Sequence, residues 1–186
     1  IVPVLDAEGA MMSTDEGIRE TSLEKLASLK PSFKPVEEGG RVTAGNSSQI
    51  TDGASALLIM SEERANRLGL KPRARFVSFA LAGDDPRMML TAPIPATVRA
   101  LAKAGLTIDQ IDLFEVNEAF AAVPMKFMKE LGVPHEKVNV NGGAIAMGHP
   151  LGATGAMILN TLIDELHRRK LRYGLATLCV GGGTGI

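Results

Sequence analysis

Apolar positions change their spacing several times along the chain, and each change predicts an element. Residues 1–40 hold no sustained period; only Ser22–Leu29 has the amphipathic spacing of a short helix. "KPSFKPVEEGG" reads as loop. The continuous apolar run "ASALLIMS" (54–61) predicts a buried strand. "SEERANRLG" predicts a helix capped by Ser61 and closed by Gly69. "ARFVSFALAG" (74–83) alternates as a strand does. A helix then runs from Pro93 to Gly105, a strand over 111–117, and a helix over 118–132 with Phe120, Val123, Phe127 and Leu131 as its apolar stripe. Pro124 inside that helix predicts a kink or a lost hydrogen bond. A strand over 137–143, a long helix over 150–170 and a strand over 174–182 complete the pattern. Strands alternating with helices predict a layered α/β fold. The clearest break lies near residues 69–73.

Composition narrows the functions. Of 186 residues, 45% are hydrophobic and 22% charged, which is ordinary for a globular protein. A net charge of −1 leaves no electrostatic footprint for nucleic acid. Arg168, Arg169 and Lys170 end a helical pattern, where cations suit the helix dipole. No apolar run reaches the ~18 residues of a membrane span. Cys179 is the single cysteine, so no internal disulfide forms, and a reducing compartment fits. The chain starts without an initiator Met or the basic start of a signal peptide, and it stops inside a strand pattern. It therefore reads as part of a longer polypeptide.

The glycine-rich stretch "NGGAIAMGHPLGATG" (141–155) invites a phosphate-cradle reading and fails it. Gly143 and Gly148 have P-loop spacing, but His149 and Pro150 stand where Lys and Ser or Thr are required. Glycines 148, 152 and 155 do not make the dinucleotide fingerprint. His149 reads better as a mounted side chain. Pro150 suits the first helical position, which sets His149 at the mouth of a helix whose dipole disfavours imidazolium. A neutral imidazole can take a proton or donate to an oxyanion. A histidine that only fills a loop fits the same residues.

Two more corners resemble it. "LFEVNEAF" ends a strand at Asn117 and opens a helix, so Asn117 is either an N-cap or an amide aimed at a ligand from the C-terminal strand edge. Glu115 and Glu118 could form a carboxylate pair, although Glu118 in a first helical turn has a simpler reading. In "LCVGGGTG", Cys179 is either a small buried hydrophobe or an acid/base thiol beside glycine N–H groups. His135, His149 and His167 have no metal-ligand spacing, and neither H-E-x-x-H nor G-x-S-x-G occurs.

Together, "NEAF" at 117–120, "NGGAIAMGHPLGATG" at 141–155 and "CVGGGTG" at 179–185 resemble the three C-terminal signature blocks of the thiolases. "VTAGNSSQITDGASALL" (42–58) and "TAPIPA" (91–96) are similar to further thiolase segments. The resemblance implies a mixed five-stranded sheet with helices on both faces, mostly the C-terminal half of a two-half fold. It implies residues 1–40 as the end of an inserted loop domain, 41–73 as the close of the N-terminal half, and 74–186 as the C-terminal half with its last strand truncated.

The resemblance also implies an acyltransferase that cleaves 3-oxoacyl-CoA with CoA, or condenses acyl-CoA in reverse, by ping-pong transfer through a cysteine thioester. His149 would activate the nucleophile and, with a water held by Asn117, stabilise the thioester enolate. Cys179 would move a proton at the α-carbon or the CoA sulfur. The Gly181 N–H would serve the acyl-enzyme. Ser48, Phe120 and Met89 would contact the pantetheine arm, with Arg19 and Phe33 near the nucleotide. CoA and acyl-CoA are then substrates, with no permanent cofactor and no metal. The family implies a homodimer or homotetramer, in the cytoplasm or an organelle. The acyl-accepting cysteine block is missing here, so an N-terminal half must supply it, and these residues alone are expected to be inactive. A condensing enzyme acting on carrier-bound chains and a non-catalytic CoA-binding module are the alternatives.

Overall fold

The computed structural model describes all of residues 1–186. Its strands are β1 (Val4–Leu5), β2 (Met11–Met12), β3 (Ala82–Gly83), β4 (Leu113–Val116), β5 (Gly174–Thr177), β6 (Cys179–Val180) and β7 (Thr184–Gly185). Its helices are α1 (Leu23–Ala27), α2 (Glu62–Arg67), α3 (Pro93–Ala104), α4 (Ala122–Leu131), α5 (Ala144–Met147) and α6 (Thr154–Arg169).

The central ladder is parallel. β4 pairs with β5 from Leu113 opposite Gly174 to Val116 opposite Thr177, and the Asn117 N–H donates to the Thr177 carbonyl at 3.0 Å. Leu178 alone separates β5 from β6, and its N–H and carbonyl both bond Ile186 at 3.1 Å. β6 and β3 each pair antiparallel with β7. On the other edge, Val138 bridges Phe114 in parallel. Five passes of chain therefore lie side by side in the order Val138, β4, β5–β6, β7, β3, with mixed directions. This is the mixed sheet of the layered α/β fold.

Alternate side chains of β4 face opposite layers, as the pleat requires. Phe114 and Val116 join Val123, Phe127 and Val133, with Ile94 and Leu101 of α3 packed against them. Leu113 packs on Leu162 and Leu166 of α6. Helices thus cover both faces. Phe114 and Phe127 meet edge-on, 6.0 Å between centroids. α3 and α4 end where expected, at Gly105 (φ 65°) and Gly132 (φ 67°), because only glycine adopts that left-handed turn without strain. The α2 cap also forms: the Ser61 side chain accepts from the Arg64 N–H at 3.2 Å.

Several expectations need correcting. Residues 54–60 are not a buried strand: they pair with nothing, and Leu58 (80% exposed) and Ile59 face solvent. The strand at 74–83 shrinks to β3, the only part that meets a partner strand. Upstream, the Leu81 and Phe79 carbonyls accept from Arg99 and Lys103 of α3, and Phe76 and Phe79 stay exposed. An apolar run has strand character only where another strand lies beside it. Residues 137–143 reduce to the Val138 bridge, because Asn139 turns the chain away at φ 48°. Pro124 does not kink α4; it is the third residue of the first turn, where N–H groups have no intrahelical partner. The long helix starts at Thr154 rather than Pro150, after a turn in which the Ala153 and Thr154 N–H groups both bond the Pro150 carbonyl.

Candidate active site

His149 and Asn117 meet at the C-terminal end of β4. Asn117 Nδ2 lies 3.3 Å from His149 Nε2. On the other side of the ring, Nδ1 lies 2.7 Å from Thr154 Oγ1, and that hydroxyl donates to the Pro150 carbonyl at 3.0 Å. The chain of bonds assigns the tautomer. Because the hydroxyl proton goes to Pro150, Nδ1 carries the ring proton and donates to Oγ1. The Nε2 lone pair then accepts from Asn117. Burial lowers the His149 pKa, which keeps the ring neutral. Desolvation does this rather than an adjoining helix terminus, since α6 begins five residues on.

The loop carrying His149 is held from three sides. The His149 N–H donates to the Gln49 carbonyl at 2.9 Å, and the Gln49 side chain donates to Gly17. Glu118 accepts from Asn139 Nδ2 at 2.9 Å and from the Ile145 N–H at 3.1 Å. Asn139 in turn bonds both the N–H and the carbonyl of Val116 at 2.8 Å. Gly143 must be glycine here, since a Cβ would sit 2.3 Å from the Glu118 carboxyl carbon. Glu118 is therefore a loop anchor. It is not in a helical first turn, because α4 begins at Ala122, and for the same reason Asn117 is not an N-cap.

The other residues singled out in the sequence stand at different distances from this pair. Cys179 opens β6, two residues past the Thr177 whose carbonyl accepts from the Asn117 N–H; it is half-buried, burial raises its pKa, and no hydrogen bond ties it to His149 or Asn117. Gly181 begins the exposed turn between β6 and β7, with open space where a Cβ would be. The Ser48 N–H donates to the Ala119 carbonyl, and Ser47 bridges Phe120, so this segment runs beside the Asn117 loop. Phe33 meets Phe120 edge-on at 6.2 Å. Arg19 is exposed, two residues from the Gly17 that binds Gln49. Met89 is exposed at φ 59° and is not joined to the pair. Sequence reasoning missed Thr154, Gln49 and Asn139; a hydroxyl five residues beyond a histidine is the one trace Thr154 leaves. No group of three His, Cys, Asp or Glu side chains could hold a metal, and no helix is long and apolar enough to cross a membrane.

A layered α/β domain whose imidazole and carboxamide meet at the C-terminal end of a parallel strand pair places them where open α/β sheets bind ligands. The chain belongs to the thiolase family: residues 70–186 match the thiolase C-terminal domain and residues 1–63 the thiolase N-terminal domain. It is 54% identical to a 3-ketoacyl-CoA thiolase of Klebsiella pneumoniae over 97% of its length and 48% of that protein's. Its fold matches the Bacillus anthracis acetyl-CoA acetyltransferase at TM-score 0.93 and 47% identity, over 100% of this chain and 47% of that one. It also matches human mitochondrial 3-ketoacyl-CoA thiolase in complex with CoA at TM-score 0.91 and 44% identity, over 98% and 45%. The chain spans about half the length of the curated relatives it matches.

Proposed function

We propose that this chain supplies the His149, Asn117 and Cys179 corners of a thiolase that cleaves a 3-oxoacyl-CoA with CoA, or joins two acyl-CoA molecules in reverse. The observation that carries the reading is the 3.3 Å contact between Asn117 Nδ2 and a His149 Nε2 left unprotonated by the Thr154 bond. An unprotonated Nε2 at a strand end is a base. It takes the proton of a cysteine thiol, and that thiolate attacks the 3-oxo carbonyl. The same Nε2, now protonated, donates to the thioester oxygen as the bond between the α- and β-carbons breaks and the enolate forms, with a water held by Asn117 as second donor. Cys179, kept as a thiol by burial, delivers the proton to the α-carbon. The Cys179 thiolate then takes the proton of the CoA thiol, the CoA sulfur attacks the acyl carbonyl with the Gly181 N–H steadying the oxyanion, and the cysteine leaves as thiolate and recovers its proton from His149.

The acylated cysteine belongs to an N-terminal half of the same fold, because Cys179 is the only cysteine here and lies in the last block. The exposed apolar segments 54–59 and 76–81 support such a half packing on them. In this reading residues 1–40 end a loop domain, 41–73 close the N-terminal half, and 74–186 form the C-terminal half. Ser48, Phe120, Met89, Phe33 and Arg19 line the approach of CoA, which enters as substrate. The enzyme works as a homodimer or homotetramer in the cytoplasm.

The test compares this chain with the assembled enzyme, meaning the chain together with the rest of the thiolase fold. The assembled enzyme is expected to thiolyse acetoacetyl-CoA and to show an acylated cysteine outside this chain by mass spectrometry. The purified chain is expected to do neither. Thiolysis by the chain alone, with acyl-Cys179, would overturn the assignment of roles. CoA binding by an assembled enzyme that forms no acyl-enzyme would leave a non-catalytic module.

A further inference from the structure

Glu115 is an acid with no cation. It sits mid-strand in β4, 4% exposed, on the face turned to α6. Asn117 follows two residues later, so the pleat points both side chains the same way. The two share a cavity of about 30 Å³ with Gly143, Gly148, Thr154 and Thr161. Asn117 is 3% exposed, and its Oδ1 has no hydrogen-bond partner, whereas its Nδ2 faces His149. Only the bond to Nε2 holds the amide in this sense; rotated by half a turn it would offer oxygen, rather than nitrogen, to the imidazole.

We propose that Glu115 is a positioning residue, whose carboxyl group holds the Asn117 carboxamide through a water seated in this cavity and keeps Nδ2 turned to His149. The inference rests on the reading of His149 and Asn117 as reacting-site residues. A cavity of this size accepts a water, which needs only about one probe sphere of room and two to four polar partners. Asn117 Oδ1 and the Glu115 carboxyl are two. Oδ1 is an acceptor only, so the water must donate to it. That leaves the water free to accept from a protonated Glu115 carboxyl.

The surroundings of Glu115 favour that protonated form. Burial first, then the charges of Glu118 and Glu165, push its pKa up to about 8. The groups facing it are Glu118 just beyond β4, Glu165 on α6 and His149 beyond Asn117; β5 alongside carries Gly174, Leu175, Ala176 and Thr177, none charged. Arg168 and Arg169 of α6 both bond Glu165. Either protonation state keeps the bridge: the water accepts from the protonated carboxyl while donating to Oδ1, or donates one proton to a carboxylate and the other to Oδ1.

The experiment is steady-state kinetics on the assembled enzyme and on Glu115→Gln and Glu115→Leu, with infrared difference spectra. Glu115→Gln keeps a polar partner for the water, so it is expected to retain most of kcat. Glu115→Leu is expected to lower kcat about ten- to a hundredfold with little change in KM, as a misaligned reacting group does. The protonated-carboxyl stretch of the parent is expected to vanish in Glu115→Gln and to shift in Asn117→Ala. Equal loss of kcat in both Glu115 variants, or a band that ignores Asn117→Ala, overturns the proposal. The infrared measurement needs no turnover, so it separates failure of this link from failure of the thiolase reading.

Discussion

Thr154 Oγ1 stands 2.7 Å from His149 Nδ1 while donating its own proton to the Pro150 carbonyl. One hydroxyl therefore decides which ring nitrogen carries hydrogen and which presents a lone pair to Asn117. Thr154→Val keeps the shape and removes the acceptor. It leaves a buried Nδ1–H unpaired, at a cost of about 1–3 kcal/mol in stability. It also frees the tautomer, so kcat should fall about ten- to a hundredfold. Thr154→Ser should keep most of both. Nitrogen chemical shifts of the His149 ring, with kcat, check the prediction.

Glu115 makes stability depend on pH in a direction opposite to that of a salt-bridged acid. Its pKa rises from 4.5 to about 8 on folding, so the folded state binds more protons between those values. Stability is fullest below about pH 4.5 on this account and declines through the window, by about 1.4 kcal/mol for each pH unit at most. Glu115→Gln should remove the slope and melt higher than the parent near pH 8. Thermal unfolding of both proteins at several pH values reads this directly.

Gly143→Ala should disturb the loop that carries His149. The added Cβ would meet the Glu118 carboxyl, which its bonds to Asn139 and Ile145 hold in place. Overpacking of this kind costs about 1–3 kcal/mol. Gly152→Ala, where nothing lies within 4 Å, should shift stability by less than about 0.5 kcal/mol. Denaturant midpoints of the two variants make the comparison.

Phe127→Ala should be the most destabilising of these changes. Phe127 is 1% exposed and packs edge-on against Phe114. Loss of such a side chain costs about 3–5 kcal/mol. Met125→Ala, two residues away on the solvent side, should cost little. Urea unfolding measures both.

The patterns of Leu113–Val116 and Pro93–Ala104 were legible because their own apolar spacing marks the buried face, and Gly105 and Gly132 mark the left-handed turns that stop the helices. Segments 54–61 and 74–83 have equally apolar sequences and do not form the expected strands, because pairing depends on a neighbour that no local pattern reveals. The start of α6 was misread for a related reason. Pro150 is compatible with a first helical turn, but the Gln49 carbonyl holds the His149 N–H and the helix begins only at Thr154.

Local order along the chain was enough to specify the alternation of strands and helices, the apolar stripe of α4 and the kinds of side chain gathered in the three signature blocks. The protonated nitrogen of His149, the direction of the Asn117 amide and the uncharged state of Glu115 came only with the folded chain. Each of them depends on hydrogen bonds or desolvation set by groups that other elements bring close, such as Glu165 on α6 for Glu115 in β4.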